Sequence, residues 1–169
     1  MTADEIIEFL NLQRLPVEGG YFRQSYRAAD TVSADALPGR YRRDKTLCTA
    51  IYYLLTADPD NFSALHRLPT DEIYHFYLGD PVEMLLLYPD GASAVVRLGP
   101  DLRAGQQVQF VVSANVWQGS RLASGGTFAL LGTTMAPGYD EADYSGGERG
   151  ALSERYPDRR DLIRELTRE

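Results

Sequence analysis

The segment Ser63–Gly79, SALHRLPTDEIYHFYLG, decides the reading of this chain. It holds both histidines of the protein, His66 and His75, with Glu72 between them. The turn signal Leu68-Pro69-Thr70-Asp71 separates His66 from Glu72 and can fold both side chains into one cavity. The run after the turn reads as a strand ending on Gly79. Side chains alternate along a strand, so Glu72, Tyr74, Phe76 and Leu78 share one face and Asp71, Ile73, His75 and Tyr77 the other. An inward Glu72 therefore sends His75 outward, to a structural or interface role. His66 lies upstream of the turn and escapes this parity. Imidazole and carboxylate suit first-row divalent metals, but a metal site usually takes three protein ligands. This segment supplies two.

Working outward, further runs carry strand character: Tyr21 to Tyr26, Leu47 to Leu55, Ile73 to Leu78, Glu83 to Tyr88, Ala94 to Leu98, Gln107 to Val112 and Thr127 to Thr134. Turn signals separate them, among them Asp58-Pro59-Asp60-Asn61, Gly79-Asp80-Pro81 and Ser124-Gly125-Gly126. LLLYPDGASAVV reads as a hairpin with Asp90-Gly91 at its tip. Short strands spaced by roughly 8–12 residues predict an all-β sandwich or barrel. Thr2 with Glu5 forms a capping box ahead of an apolar stripe of Ile6, Ile7, Phe9 and Leu10, so the chain opens with a short helix. Asp158 followed by Leu162, Ile163 and Leu166 predicts a closing one. Ala28–Lys45 and Tyr139–Arg155 are polar and read as loops.

The 169 residues fit a single domain, expected over residues 1–169. A chain of that length buries roughly 70% of its unfolded surface, enough to dispense with disulfides. Its one cysteine, Cys48 in LCTAIYYLL, reads as a buried thiol and favours a reducing compartment. MTADEIIEFL carries acids where a secretory signal carries bases. No apolar run approaches the ~20 residues of a membrane span. A cytoplasmic protein with no membrane partner is expected. A net charge of −7 and a pI of about 4.9 argue against nucleic acid as a partner. The basic groups Arg40, Arg42, Arg43 with Lys45, and Arg159 with Arg160, read as solvated surface.

Six stretches in order resemble one protein family: EGGYFRQSYR from Glu18, TAIYYLL from Thr49, SALHRLPTDEIYHFYLGDP from Ser63, VRLGPDL from Val96, QQVQFVVSANVWQG from Gln106 and LLGTTMAPGYDEADY from Leu130. On these stretches the chain resembles the cupins, and among them the small cupin-5 family, whose members are largely of unknown function. The resemblance implies a double-stranded β-helix, the cupin jelly-roll barrel, with short N- and C-terminal helices here. It also implies a homodimer. The general cupin pattern has a first motif HxHx(3–4)E with a glycine seven residues after the glutamate, and a second motif that adds one histidine. His66, Glu72 and Gly79 match it. Leu68 stands at the second histidine of the first motif, and Gln118 at the histidine of the second. Two of the usual metal ligands are thus replaced, and neither a metal nor another cofactor is expected.

What remains is a pocket for an organic ligand. His66, Glu72 and Tyr74 are its candidate catalytic residues, with Asp71 or Glu72 orienting His66. Arg23, Ser63, Trp117, Gln118 and Tyr139 are its candidate ligand-binding residues. Alternation puts Arg23 on one face with Tyr21, Ser25 and Arg27, and the Arg23 fork suits a phosphate or carboxylate. Cupins include sugar isomerases and the metal-independent dTDP-4-dehydrorhamnose epimerases. The resemblance therefore implies a carbohydrate or nucleotide-sugar ligand, either bound without reaction or isomerised by a histidine base and a tyrosine acid. The alternative is a metal-dependent cupin enzyme that uses His66 and Glu72 with Gln118 and waters.

Overall fold

The structure, a computed structural model, describes residues 1–168. In chain order, helix α1 (Ala3–Leu10) precedes strands β1 (Gln13–Arg14), β2 (Tyr21–Arg27), β3 (Thr31–Val32), β4 (Lys45–Thr46) and β5 (Thr49–Thr56). Then come β6 (Ser63–Arg67), β7 (Glu72–Gly79), β8 (Val82–Leu87), β9 (Ser93–Leu98) and β10 (Gln109–Val112). The chain ends with β11 (Trp117–Leu122), β12 (Phe128–Met135), β13 (Ser145–Gly146), α2 (Arg149–Arg155) and α3 (Arg160–Glu165). Two antiparallel sheets face each other in the expected jelly-roll architecture. One has the order β1-β2-β5-β12-β7-β10 and the other β13-β6-β11-β8-β9. No helix is long and apolar enough to cross a membrane among the described residues.

The space between the sheets changes character along its length. At one end Leu55, Val82, Met84, Leu86, Leu98, Ala129 and Leu131 form a fully buried apolar core. At the other end the same strands turn polar. The inward face of β12 runs Ala129, Leu131, Thr133, Met135, and that of β7 runs from Phe76 through Tyr74 to Glu72.

Helices cover part of the outer face of each sheet. Thr2 and Glu5 exchange the two capping bonds predicted for α1. Ile6, Ile7 and Leu10 then pack on Leu54 and Leu130 of the first sheet. Phe9, expected in that stripe, is 75% exposed, because the helix turns it away from the sheet. On the second sheet Leu65, Leu85 and Leu87 lie under Leu152, Tyr156, Ile163 and Leu166. Strand β8 is thus buried on both faces, which explains its unbroken Met84–Leu87 run.

Two expected loops contain more structure than their composition indicates. Residues 28–45 hold β3 and a 3-10 turn at Ala34–Ala36. Residues 139–155 hold a 3-10 turn at Glu141–Asp143, then β13 and α2, whose first turn is capped by the Glu148 carboxylate. Asp158 does not cap the last helix; a 3-10 turn at Pro157–Arg159 leads into α3. Cys48 is free and half-buried.

Leu131→Ala is expected to cost about 3 kcal/mol, since the side chain is fully enclosed between the sheets. Urea unfolding checks this: the midpoint falls while the slope stays constant.

Candidate functional site

The polar end of the inter-sheet space is a cavity of about 440 Å³. Its first carboxylate comes from the Glu18-Gly19-Gly20 turn that leads into β2. Both glycines have positive φ, +100° and +76°. A Cβ on Gly20 would lie 2.6 Å from the Tyr53 ring, so the close approach admits only glycine. Tyr53 Oη donates to the Gly19 carbonyl at 2.9 Å, and Ser63 Oγ donates to Glu18 Oε1 at 2.9 Å. The turn and these two bonds aim Glu18 into the cavity.

The second carboxylate is Glu72, at the start of β7 and buried. Its Oε2 accepts from Gln118 Nε2 at 2.7 Å and from Tyr74 Oη at 3.4 Å. Burial pushes the Glu72 carboxyl above its ordinary value. His66 pulls it down, the Glu18 charge pushes it up, and hydrogen bonds from Thr133 and Gln118 favour the ionised form. Burial also pushes the Tyr74 and Tyr53 phenols well above theirs.

His66 sits opposite Gln118 in the β6–β11 pairing. Its Nδ1 lies 2.8 Å from the Ala64 carbonyl, and only an N–H can satisfy that contact. The proton of the neutral ring is therefore on Nδ1, and the lone pair is on Nε2. Tyr144 stacks on the ring at 5.3 Å with 17° between planes. The expected orienting acid Asp71 is exposed and accepts the Ala114 amide instead, so a backbone carbonyl orients His66.

Tyr139, Asp140 and Glu141 close the cavity on one side. Tyr139 N–H donates to Thr49 Oγ1 at 2.9 Å, and burial with nearby carboxylates pushes its phenol up to about 12. A buried ion pair between Lys45 and Asp143 anchors the same segment.

The structure thus brings together His66, Glu72, Tyr74, Gln118 and Tyr139, with Ser63 one bond behind Glu18. Arg23 and Trp117 are placed elsewhere. Arg23 is on the outer face of β2, its guanidinium 5.3 Å from the Tyr52 ring centre. Phe22 and Gln24 face inward instead. A bulge at Ser25, between the pairs Gln24–Ile51 and Tyr26–Ala50, then brings Arg27 back to the cavity. Trp117 packs outside the second sheet with Leu65 and Leu87, because its neighbour Gln118 points in. His75 faces outward as expected, within 3.3 Å of Thr134 Oγ1 and 3.2 Å of Gln109 Nε2. Sequence reasoning passed over Glu18, Tyr53, Thr133 and Gln24. An acid before two glycines was the available signal for Glu18, and alternation beside Tyr52 was the signal for Tyr53.

Two facing antiparallel sheets with a polar pocket at one end are the architecture that the resemblance to cupins implies. Residues 4–146 match Cupin_5, described as cupin superfamily (DUF985), and the chain belongs to that family. A hypothetical protein from Leishmania major superposes with a TM-score of 0.88 at 27% identity, over 100% of both chains. A protein from Shewanella oneidensis superposes at 0.85 with 32% identity, over 99% of this chain and 98% of that one. An uncharacterized protein of Saccharomyces cerevisiae is 28% identical over 136 residues, covering 76% of this chain and 67% of its own length. Oxalate decarboxylase from Bacillus subtilis, at 12% identity and a TM-score of 0.52 over 94% of this chain and 37% of that one, shares the fold alone.

Many cupins carry a metal, and the donor set here does not fit one. Leu68 lines the cavity with no donor atom. Gln118 directs its N–H, a donor, at Glu72 and occupies a lone pair that a metal would need. No group of three or more His, Cys, Asp or Glu able to hold a metal occurs among the described residues.

The raised Glu72 value has a stability consequence. The folded protein holds this proton more tightly than the unfolded chain, whose value is near 4.5. The contribution is therefore full below that pH and is lost as pH rises through the folded value. Glu72→Gln removes the titration, so the variant is expected to gain stability relative to wild type as pH rises from about 4 to about 8. Unfolding midpoints across that range check it; a flat or opposite difference contradicts the assignment.

Proposed function

We propose that this chain binds a carbohydrate-like polyol in the pocket and moves a proton on it without a metal. One observation carries the reading: His66, Glu72, Gln118 and Tyr74 form a hydrogen-bonding floor beneath apolar and aromatic walls. Phe22, Tyr53 and Tyr139 supply ring faces for a sugar, and the carboxylates accept its hydroxyls. The volume suits a ligand of monosaccharide size. Gln118 Oε1, beside Glu72, is buried with no hydrogen-bond partner among the described residues, so it is free for a bound hydroxyl or water.

In this reading His66 Nε2 takes a proton from a carbon next to the sugar carbonyl. The electron pair moves into an enediolate, and a neutral acid protonates its oxygen. Tyr74 and Glu72, both shifted toward their protonated forms, are the candidate acids. Return of a proton to carbon completes an isomerisation or epimerisation. Gln118, Ser63 through Glu18, and Tyr139 position the ring. The half-buried free thiol and the acidic surface are compatible with a cytoplasmic setting.

Incubation with a panel of sugars and sugar nucleotides in deuterated water tests this by NMR. Wild type is expected to exchange one carbon-bound hydrogen. His66→Ala is expected to lose exchange by about 100-fold while ligand affinity stays within a few fold. Binding without exchange anywhere in the panel leaves a binding protein; no binding at all overturns the reading.

The chain is also proposed to act as a homodimer. Tyr77, Leu78, Val108 and Val111 lie exposed on or beside the outer face of the six-stranded sheet. Sedimentation velocity is expected to give a dimer that Val111→Asp converts to a monomer. A monomeric wild type contradicts this.

A further inference from the structure

A second cleft, of about 410 Å³, is rich in arginine. Arg40, Arg42, Arg43 and Arg67 line it, with Asn115 and Ser145 between them. Three of the guanidiniums are held by contacts, of which one uses an N–H donor. Arg40 Nε donates to the Pro69 carbonyl at 2.8 Å, and its guanidinium lies 4.8 Å from the Tyr41 ring centre. Arg67 lies over Trp117 at 4.7 Å. Arg43 stands 3.9 Å from Asp140. Arg42 makes no ion pair among the described residues. Asp143, the carboxylate on the cleft wall, is already paired with Lys45. In a chain of net charge −7, this cleft runs against the background.

The main pocket has the opposite balance. Glu18, Glu72, Asp140 and Glu141 face it against Arg27. An anionic group is repelled there and a neutral ring is accepted. The two cavities share a wall: Leu68 lines both. One turn presents Asp140 and Glu141 to the pocket and Ala142 and Asp143 to the cleft. Guanidinium forks bind phosphate oxygens in pairs, and several together favour a diphosphate over a single carboxylate.

We propose that the arginine cleft is an anion subsite that takes the diphosphate of a ligand whose uncharged ring sits in the pocket, which makes that ligand a sugar nucleotide. The ring's place rests on the carbohydrate reading above; the anion subsite rests on the arginines alone.

Calorimetric titration of the full chain with inorganic pyrophosphate tests the subsite. One-to-one binding that weakens with added salt is expected. Arg42→Gln with Arg43→Gln is expected to lower affinity at least tenfold at unchanged melting temperature. Arg14→Gln with Arg103→Gln, outside the cleft, is expected to change it less than twofold. No binding, or equal binding by both double variants, overturns the subsite. UDP-glucose tests the span. Its affinity is expected to fall both in the Arg42, Arg43 variant and in Gln24→Trp, which narrows the pocket, whereas pyrophosphate binding is expected to survive Gln24→Trp. If UDP-glucose follows pyrophosphate in every variant, the ring does not enter the pocket and the span is wrong. Pyrophosphate binding without hydrogen exchange on any sugar removes the carbohydrate chemistry and leaves the subsite standing, so the two readings fail separately.

Discussion

The hydrogen bond from Gln118 Nε2 to Glu72 Oε2, 2.7 Å long and buried, joins the two sheets at the floor of the pocket. A carboxylate taken out of water is costly unless donors replace its hydration. Gln118, Tyr74 and Thr133 are those donors, and they come from both sheets. The floor is consequently fixed from both sides, and His66 stands beside it with its tautomer set by the Ala64 carbonyl. A carboxamide thus performs the joining, and burial still pushes Glu72 toward its protonated form.

Charge separation is the second organising feature. Carboxylates collect in the pocket and guanidiniums in the neighbouring cleft, with Leu68 and one short turn between them. That turn is tied down by the Lys45–Asp143 pair and by the bond from Tyr139 to Thr49. The border between the two environments is therefore braced, and the excursion before β4 supplies Arg40, Arg42 and Arg43 to the cleft.

Much of the fold was legible because most strands bury apolar side chains on one face. Strands β6 and β11 escaped notice for a physical reason. Their inward residues include the polar His66, Gln118 and Ser120, so SALHR and WQGSRL show no alternating apolar signal. Parity separated His75 from Glu72 correctly. Applied to adjacent residues in β11, the same argument would have moved Trp117 outward once Gln118 was taken as inward. Arg23 was lost differently: alternation gives two faces but not which is inside, and the outer face here offers the Tyr52 ring as a partner. The bulge at Ser25 leaves no mark in the composition of β2. Glu18 belonged to a stretch that identified the family, yet its role depends on two positive-φ glycines and a ring from another strand.

The cover that α2 and α3 place on the second sheet bears on where this domain ends. The match to the family model stops at residue 146, ahead of both helices, although the Leishmania and Shewanella proteins superpose over 100% and 99% of the chain. Yet Leu152, Tyr156, Ile163 and Leu166 shield Leu65, Leu85 and Leu87 from water. A protein trimmed to the region of family similarity would keep every pocket residue and both sheets while exposing a continuous apolar surface on one of them. Such a fragment would self-associate in a cell, and its poor recovery could be mistaken for a defect of the pocket. The span that the family model matches is thus shorter than the unit that covers its own apolar surface.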